Sequence, residues 1–85
     1  MASDSYEIVK EILSVPKRQE ADTYHKEVNL ISWYGKAPKL DIRAWMDGRE
    51  KKGKGVALTI EEARYIIENI ELIKEALDHA DSSNI

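Results

Sequence analysis

At 85 residues and a net charge of −3, this chain has room for one small domain, and a chain this short often needs a partner subunit to complete its core. It contains no cysteine, which excludes disulfide frameworks, thiol redox chemistry and cysteine-ligated zinc. The N-terminus is polar, and no run approaches the roughly 18 apolar residues of a membrane span, so a cytoplasmic protein is the expectation.

The first element, YEIVKEILSV over residues 6–15, fits two periods. Tyr6, Val9 and Leu13 suit a helical face, while the β-branched residues Ile8, Val9, Ile12 and Val15 suit a strand. Residues 16–23 open with Pro16 and read as a loop. Residues 24–34, YHKEVNLISWY, are strand-like, and Gly35 ends them. Residues 36–47 alternate after Pro38. Leu40, Ile42, Ala44 and Met46 fall on one face, and Lys39, Asp41, Arg43 and Trp45 on the other. Residues 47–55, DGREKKGKG, read as a turn, and 56–59 as a short strand.

The last element is the clearest. Thr59 followed by Glu62 forms a capping-box pattern, in which the hydroxyl accepts from the third helical amide and the carboxylate reaches back to the cap. Ala63, Ile66, Ile67, Ile70, Ile73 and Leu77 then make one apolar stripe at helical spacing. Residues 81–85 read as a flexible tail after a domain over 1–80. The expected layers are an antiparallel sheet with one face under the helix and the other open.

Charge is unevenly spread. Residues 24–55 carry eight Lys or Arg against four acids, and residues 56–85 carry two against seven. A basic middle beside an acidic tail suggests a polyanion partner for one face. Both tryptophans lie in that basic middle. Trp45 shares its face with three charged residues that a dry core would not accept easily, so its ring is expected on the open face, the alternative being that it ends the strand and folds over an edge as a cap to the core. Trp33 alternates with Ile31 and Asn29 on a mixed face, which fits a core or a binding role equally.

The segments VNLISWYGKAPKLDIRAW and KKGKGVALTIEEA resemble the bacterial, YdbC-like branch of the transcriptional positive cofactor four family. The shared pattern is an aromatic-x-Gly-Lys strand end, an Ile/Leu-Asp-Ile-Arg strand followed by an aromatic, a Lys/Gly-rich turn, a short apolar strand and a helix. The resemblance covers roughly residues 24–77 and extends more weakly to YEIVKEIL through its aromatic-x-Ile start. It implies an α+β fold with a four-stranded curved antiparallel sheet and one C-terminal helix (ββββα), the first element being a strand. It also implies a symmetric homodimer that binds single-stranded DNA with little sequence preference, in transcription regulation or in DNA replication or repair.

The candidate nucleic-acid-binding residues are Asn29, Trp33, Lys36, Lys39, Arg43, Trp45, Arg49, Lys52 and Lys54. Trp33 and Trp45 would present rings near the two ends of the strand pair with Arg43 between them, and Asp41 would orient Arg43. Ile70, Ile73 and Leu77 are the expected dimer contacts. Aromatic rings stack on bases regardless of identity, and Lys and Arg neutralise phosphates. Stacking and phosphate contacts serve single-stranded RNA equally well, and a dimeric protein-interaction module without a nucleic-acid ligand is the other reading. No catalytic constellation, cofactor motif or metal-ligand spacing is evident. His25 and His79 are far apart, and the glycine-rich turn lacks the phosphate-loop spacing, so neither an enzyme nor a cofactor or small-molecule substrate is expected.

Overall fold

The structure, a computed structural model, describes residues 5–83. Four strands form one antiparallel sheet in sequence order: β1 (Tyr6–Ser14), β2 (Tyr24–Trp33), β3 (Lys39–Met46) and β4 (Lys52–Leu58). Two helices follow, α1 (Ile60–Glu68) and α2 (Ile70–Ser83). The first element is a strand, as the resemblance implied.

The expected single helix is two. Asn69 breaks it. Its side-chain amide donates to the Tyr65 carbonyl at 2.8 Å, and its backbone N–H donates to Ile66 at 3.0 Å. A side chain competing for the carbonyl four residues back interrupts the helical ladder locally. The capping box at the start is as expected: the Glu62 amide donates to the Thr59 hydroxyl at 3.1 Å, and the Thr59 amide to the Glu62 carboxylate at 2.9 Å. Helix α2 runs to Ser83, beyond residue 80 where the sequence pattern ends the domain. Residues 1–4, and 84–85 of the expected tail, lie outside the described residues.

Strand β4 begins at Lys52, four residues before the expected strand, because the Lys/Gly-rich stretch itself pairs with β3. Gly55 makes that pairing possible. It lies opposite Arg43, and a Cβ built on it would fall 1.9 Å from the Arg43 Cβ. Register shifts interrupt β1 in two places and β4 between Arg43 and Trp45 of its partner. Such bulges bend a strand and raise its twist.

The bend is large. Trp33 ends β2, whereas Trp45 pairs with His25 at the other end of the same strand. A flat sheet would separate them by about 25 Å along the strands. Yet the Tyr6 ring lies 5.4 Å from Trp33 and 5.7 Å from Trp45, centroid to centroid. The sheet therefore rolls along its diagonal until the starts of β1 and β4 approach each other.

Rolling inverts the expected burial. The inner face carries His25, Glu27, Asn29, Ile31 and Trp33 from β2, and Asp41, Arg43 and Trp45 from β3. Ile31, Trp45 and Asp41 are 0% exposed and Asn29 is 1% exposed. The outer face, with Val28, Leu30, Leu40 and Ile42, is only half-buried, although alternation marks it as the core face. Helix α1 packs against β3 and β4 and buries Ala63. Helix α2 is exposed from Ile70 to Ser82, its apolar stripe included.

Candidate nucleic-acid interface

The inner face is built from paired charges under aromatic rings. Asp41, fully buried, holds Arg43 in a fork: Nε to Oδ1 is 2.7 Å and Nη2 to Oδ2 is 2.8 Å. Nη1 donates to the Gly53 carbonyl at 3.4 Å. Two parallel bonds from a planar guanidinium fix its orientation as well as its position. So held, the Arg43 guanidinium lies 5.0 Å from the centroid of the Trp33 ring, within cation–π range. Lys52 adds a second cation, its Nζ 5.4 Å from Tyr6 and 5.9 Å from Trp33.

Deeper in the roll, Glu27 gathers three partners. Asn29 donates to Oε1 at 3.0 Å, Arg49 Nε to the same oxygen at 3.0 Å, and the His25 Nε2 lies 2.7 Å from Oε2. Burial pushes the Glu27 carboxyl up, but these hydrogen bonds outweigh it and hold the group below its ordinary value. Arg49 also reaches Glu11 at 3.2 Å. Burial alone would lower its guanidinium, and the two carboxylates raise it above its ordinary value.

Where the starts of β1 and β4 approach, a cleft of about 350 Å³ opens, lined by Tyr6, Arg43, Arg49, Glu50, Lys51, Lys52 and Gly53. It joins a ring, two fixed guanidiniums and two ammonium groups. Both indole nitrogens, Trp33 Nε1 and Trp45 Nε1, are buried without a hydrogen-bond partner among the described residues. A buried unpaired donor costs about 1–3 kcal/mol.

The structure sorts the sequence candidates. Arg43, Arg49 and Lys52 line the cleft, and Trp33 lies against Arg43, Lys52 and Tyr6. Trp45 shares the face of Lys39, Asp41 and Arg43, as alternation indicates, but the expectation of an exposed ring is overturned. The roll carries Tyr6 over it, and the indole ring is fully buried. Asn29 is likewise out of reach, committed to Glu27 beneath the surface. Lys36 sits on the turn after β2, where Tyr34 and Gly35 take φ of 53° and 72°. Lys39 lies opposite Ile31 at that end of the sheet, and Lys54 is exposed on β4. These three lysines therefore stand outside the cleft. Sequence reasoning missed Lys51 and Tyr6 as cleft residues. The aromatic-x-Ile start of β1 was the available signal for Tyr6.

The profile of a family described as Transcriptional Coactivator p15 (PC4) matches residues 21–69, more than half of the chain. This chain belongs to that family. The matched span includes Trp33, Asp41, Arg43, Trp45, the basic segment and α1, and so contains most of the cleft. Tyr6 and the α2 residues Ile70, Ile73 and Leu77 fall outside it. An uncharacterized protein of Treponema pallidum (strain Nichols) is 54% identical over 33 residues, 39% of this chain and 39% of that protein. The PC4 family is a nucleic-acid-binding family, and the arrangement seen here brings together aromatic rings and cations. Among the described residues, no helix is long and apolar enough to cross a membrane.

Proposed function

We propose that the protein is a homodimer of the bacterial branch of its family that binds single-stranded DNA without sequence preference, in transcription regulation or in DNA replication or repair. The observation that carries this reading is the pairing of Arg43, which lines the basic cleft, with the Trp33 ring. A guanidinium fixed by a buried carboxylate and laid against an indole offers a flat surface for a base and donors for a phosphate at once. Tyr6 and Trp33 are the rings that a base reaches, and Trp45 supports them from below. Lys51 and Lys52 meet the phosphates that enter the cleft, and Lys36, Lys39 and Lys54 meet the strand on either side. The family supports the same ligand, since its members bind single-stranded DNA.

Dimerisation is supported by the exposed stripe of α2 and the half-buried outer face of the sheet. Apolar surface of that extent on a small chain is the mark of an interface.

Fluorescence polarisation with labelled oligo-dT, the matching duplex and oligo-U, each at two salt concentrations, tests the ligand. The expected order is oligo-dT above duplex, with affinity falling as salt rises. Equal or tighter binding of the duplex would overturn the proposal. Tighter binding of oligo-U would transfer the site to RNA.

A further inference from the structure

A second basic pocket lies outside the cleft. It has a volume of about 160 Å³ and is built by the β1–β2 loop against the first residues of β2: Val15, Pro16, Lys17, Arg18, Tyr24, His25 and Lys26 line it, with Asp22 and Ala44. The loop is tied down by Val15 donating to the Lys26 carbonyl at 2.8 Å and by a turn in which Asp22 donates to Gln19 at 3.1 Å. Lys17 is spoken for, 3.0 Å from Asp47. The side chains of Arg18 and Lys26 are exposed and make no ion pair or hydrogen bond among the described residues. Tyr24, which lines the same pocket, is 39% exposed. Two uncommitted cations beside an accessible ring, over an apolar wall of Val15, Pro16 and Ala44, repeat the chemistry of the cleft in miniature.

The two pockets are neighbours through Gly53. That residue lines the cleft, and a Cβ built on it would lie 3.0 Å from the Ala44 Cβ and 3.2 Å from the Tyr24 ring, both walls of the second pocket. Strand β4 is an edge of the sheet in hydrogen-bonding order, so a flexible polymer leaving the cleft has a path round Gly53 from one face to the other.

We propose that the Arg18–Tyr24–Lys26 pocket is a second station for the same single-stranded nucleic acid, binding the phosphates and one base of the segment that leaves the cleft. The inference rests on the single-strand reading of the cleft. A charge contrast supports it: the two cleft arginines are already matched by Asp41, Glu27 and Glu11, whereas Arg18 and Lys26 have no ion-pair partner among the described residues. A short oligonucleotide fills the cleft alone, and a longer one fills both pockets.

The test is a length series of oligo-dT, from about 4 to about 16 nucleotides, titrated against the wild type, Arg18→Gln/Lys26→Gln and Arg64→Gln/Lys74→Gln. The last pair changes net charge equally on the helices. Circular dichroism checks folding, which these exposed positions should leave unchanged. The expected result is that the Arg18/Lys26 variant binds short oligonucleotides like the wild type and loses the extra affinity of long ones. Its salt slope on the long oligonucleotide should shrink by about 1.4, which is two phosphates at about 0.7 each. The helix variant should match the wild type at both lengths. If the Arg18/Lys26 variant keeps the length dependence, or loses equally at both lengths, the second station does not exist and the cleft reading stands. If the wild type binds no oligonucleotide, the cleft reading fails and this inference fails with it.

Discussion

Arg43 has lost most of its freedom to Asp41. Both carboxylate oxygens grip the guanidinium, at 2.7 and 2.8 Å, and the acid is fully buried while the Arg43 side chain keeps 16% of its exposure. The acid therefore acts as the mount of the arginine, and changes at the two positions should separate. Arg43→Lys keeps the charge but cannot form the fork or lie flat on Trp33. It should weaken single-strand binding while leaving the salt slope nearly unchanged. Asp41→Asn leaves a half-buried cation without its counter-charge and should cost about 3 kcal/mol of stability. Denaturant titration and salt-dependent binding of both variants check this. An Arg43→Lys protein that binds like the wild type would remove the stacked guanidinium from the site.

The two tryptophans should differ in kind. Trp45→Ala empties a completely covered position and should cost about 3–5 kcal/mol of stability. Trp33→Ala should lose about 1–3 kcal/mol of binding, the value of one stacked base, with a smaller effect on folding. Fluorescence gives a separate readout. In Trp33→Phe, the remaining Trp45 emission should be blue-shifted and respond little to oligo-dT. In Trp45→Phe, the Trp33 emission should be quenched on binding.

The faces of β3 were legible in the sequence because side chains alternate strictly, and the start of the helix was legible because Thr59 and Glu62 stand at capping-box spacing. Burial was not. Alternation says which residues share a face; it says nothing of how far the sheet rolls. The bulges and the contact between Tyr6 and Trp45 are long-range features that put Asp41 and Trp45 out of solvent. Their charged neighbours argued for an open face, and only the pairing of Asp41 with Arg43 makes a buried one tolerable. The helix break at Asn69 also escaped, because the apolar stripe continues across it.

Gly55 should tolerate no side chain. Its missing Cβ is the space that the Arg43 Cβ and backbone occupy, with the Ile42 carbonyl 2.6 Å away. Gly55→Ala must push β4 off β3 next to the cleft and should cost at least about 1–3 kcal/mol, the usual range for overpacking. Thermal unfolding measures it, and a variant as stable as the wild type would contradict the close approach of the two strands.

Acid should loosen the inner face through Glu27. Its folded-state carboxyl lies below the ordinary value of 4.5, held there by Asn29, His25 and Arg49 against the upward push of burial. A depressed carboxyl contributes stability that is complete above its unfolded-state value and is lost as pH falls through the folded one. The urea midpoint should therefore drop as pH falls below about 4.5. Glu27→Gln should start lower at neutral pH and show a shallower drop. Parallel curves for the two proteins would show that other carboxylates carry the acid sensitivity.

Helix α2 sets up the last expectation. At helical spacing Ile70, Ile73 and Leu77 share one side of α2, and Leu72 falls on the opposite side. All four are exposed in the single chain, Leu72 and Leu77 equally at 64%. Exposure in one chain therefore cannot distinguish them, and only a partner can. If two copies meet through the stripe, Leu77→Glu and Ile73→Glu each bury a charge in an apolar interface and should abolish the dimer, whereas Leu72→Glu should leave it intact. Small obligate dimers often have no stable monomer, so the disrupting variants should also unfold at lower denaturant, with a midpoint that no longer rises with protein concentration. Sedimentation of the wild type should give twice the chain mass of 9.7 kDa. A folded wild-type monomer, or a Leu72→Glu variant as disrupted as Leu77→Glu, would mean that the stripe is not the seam between two subunits.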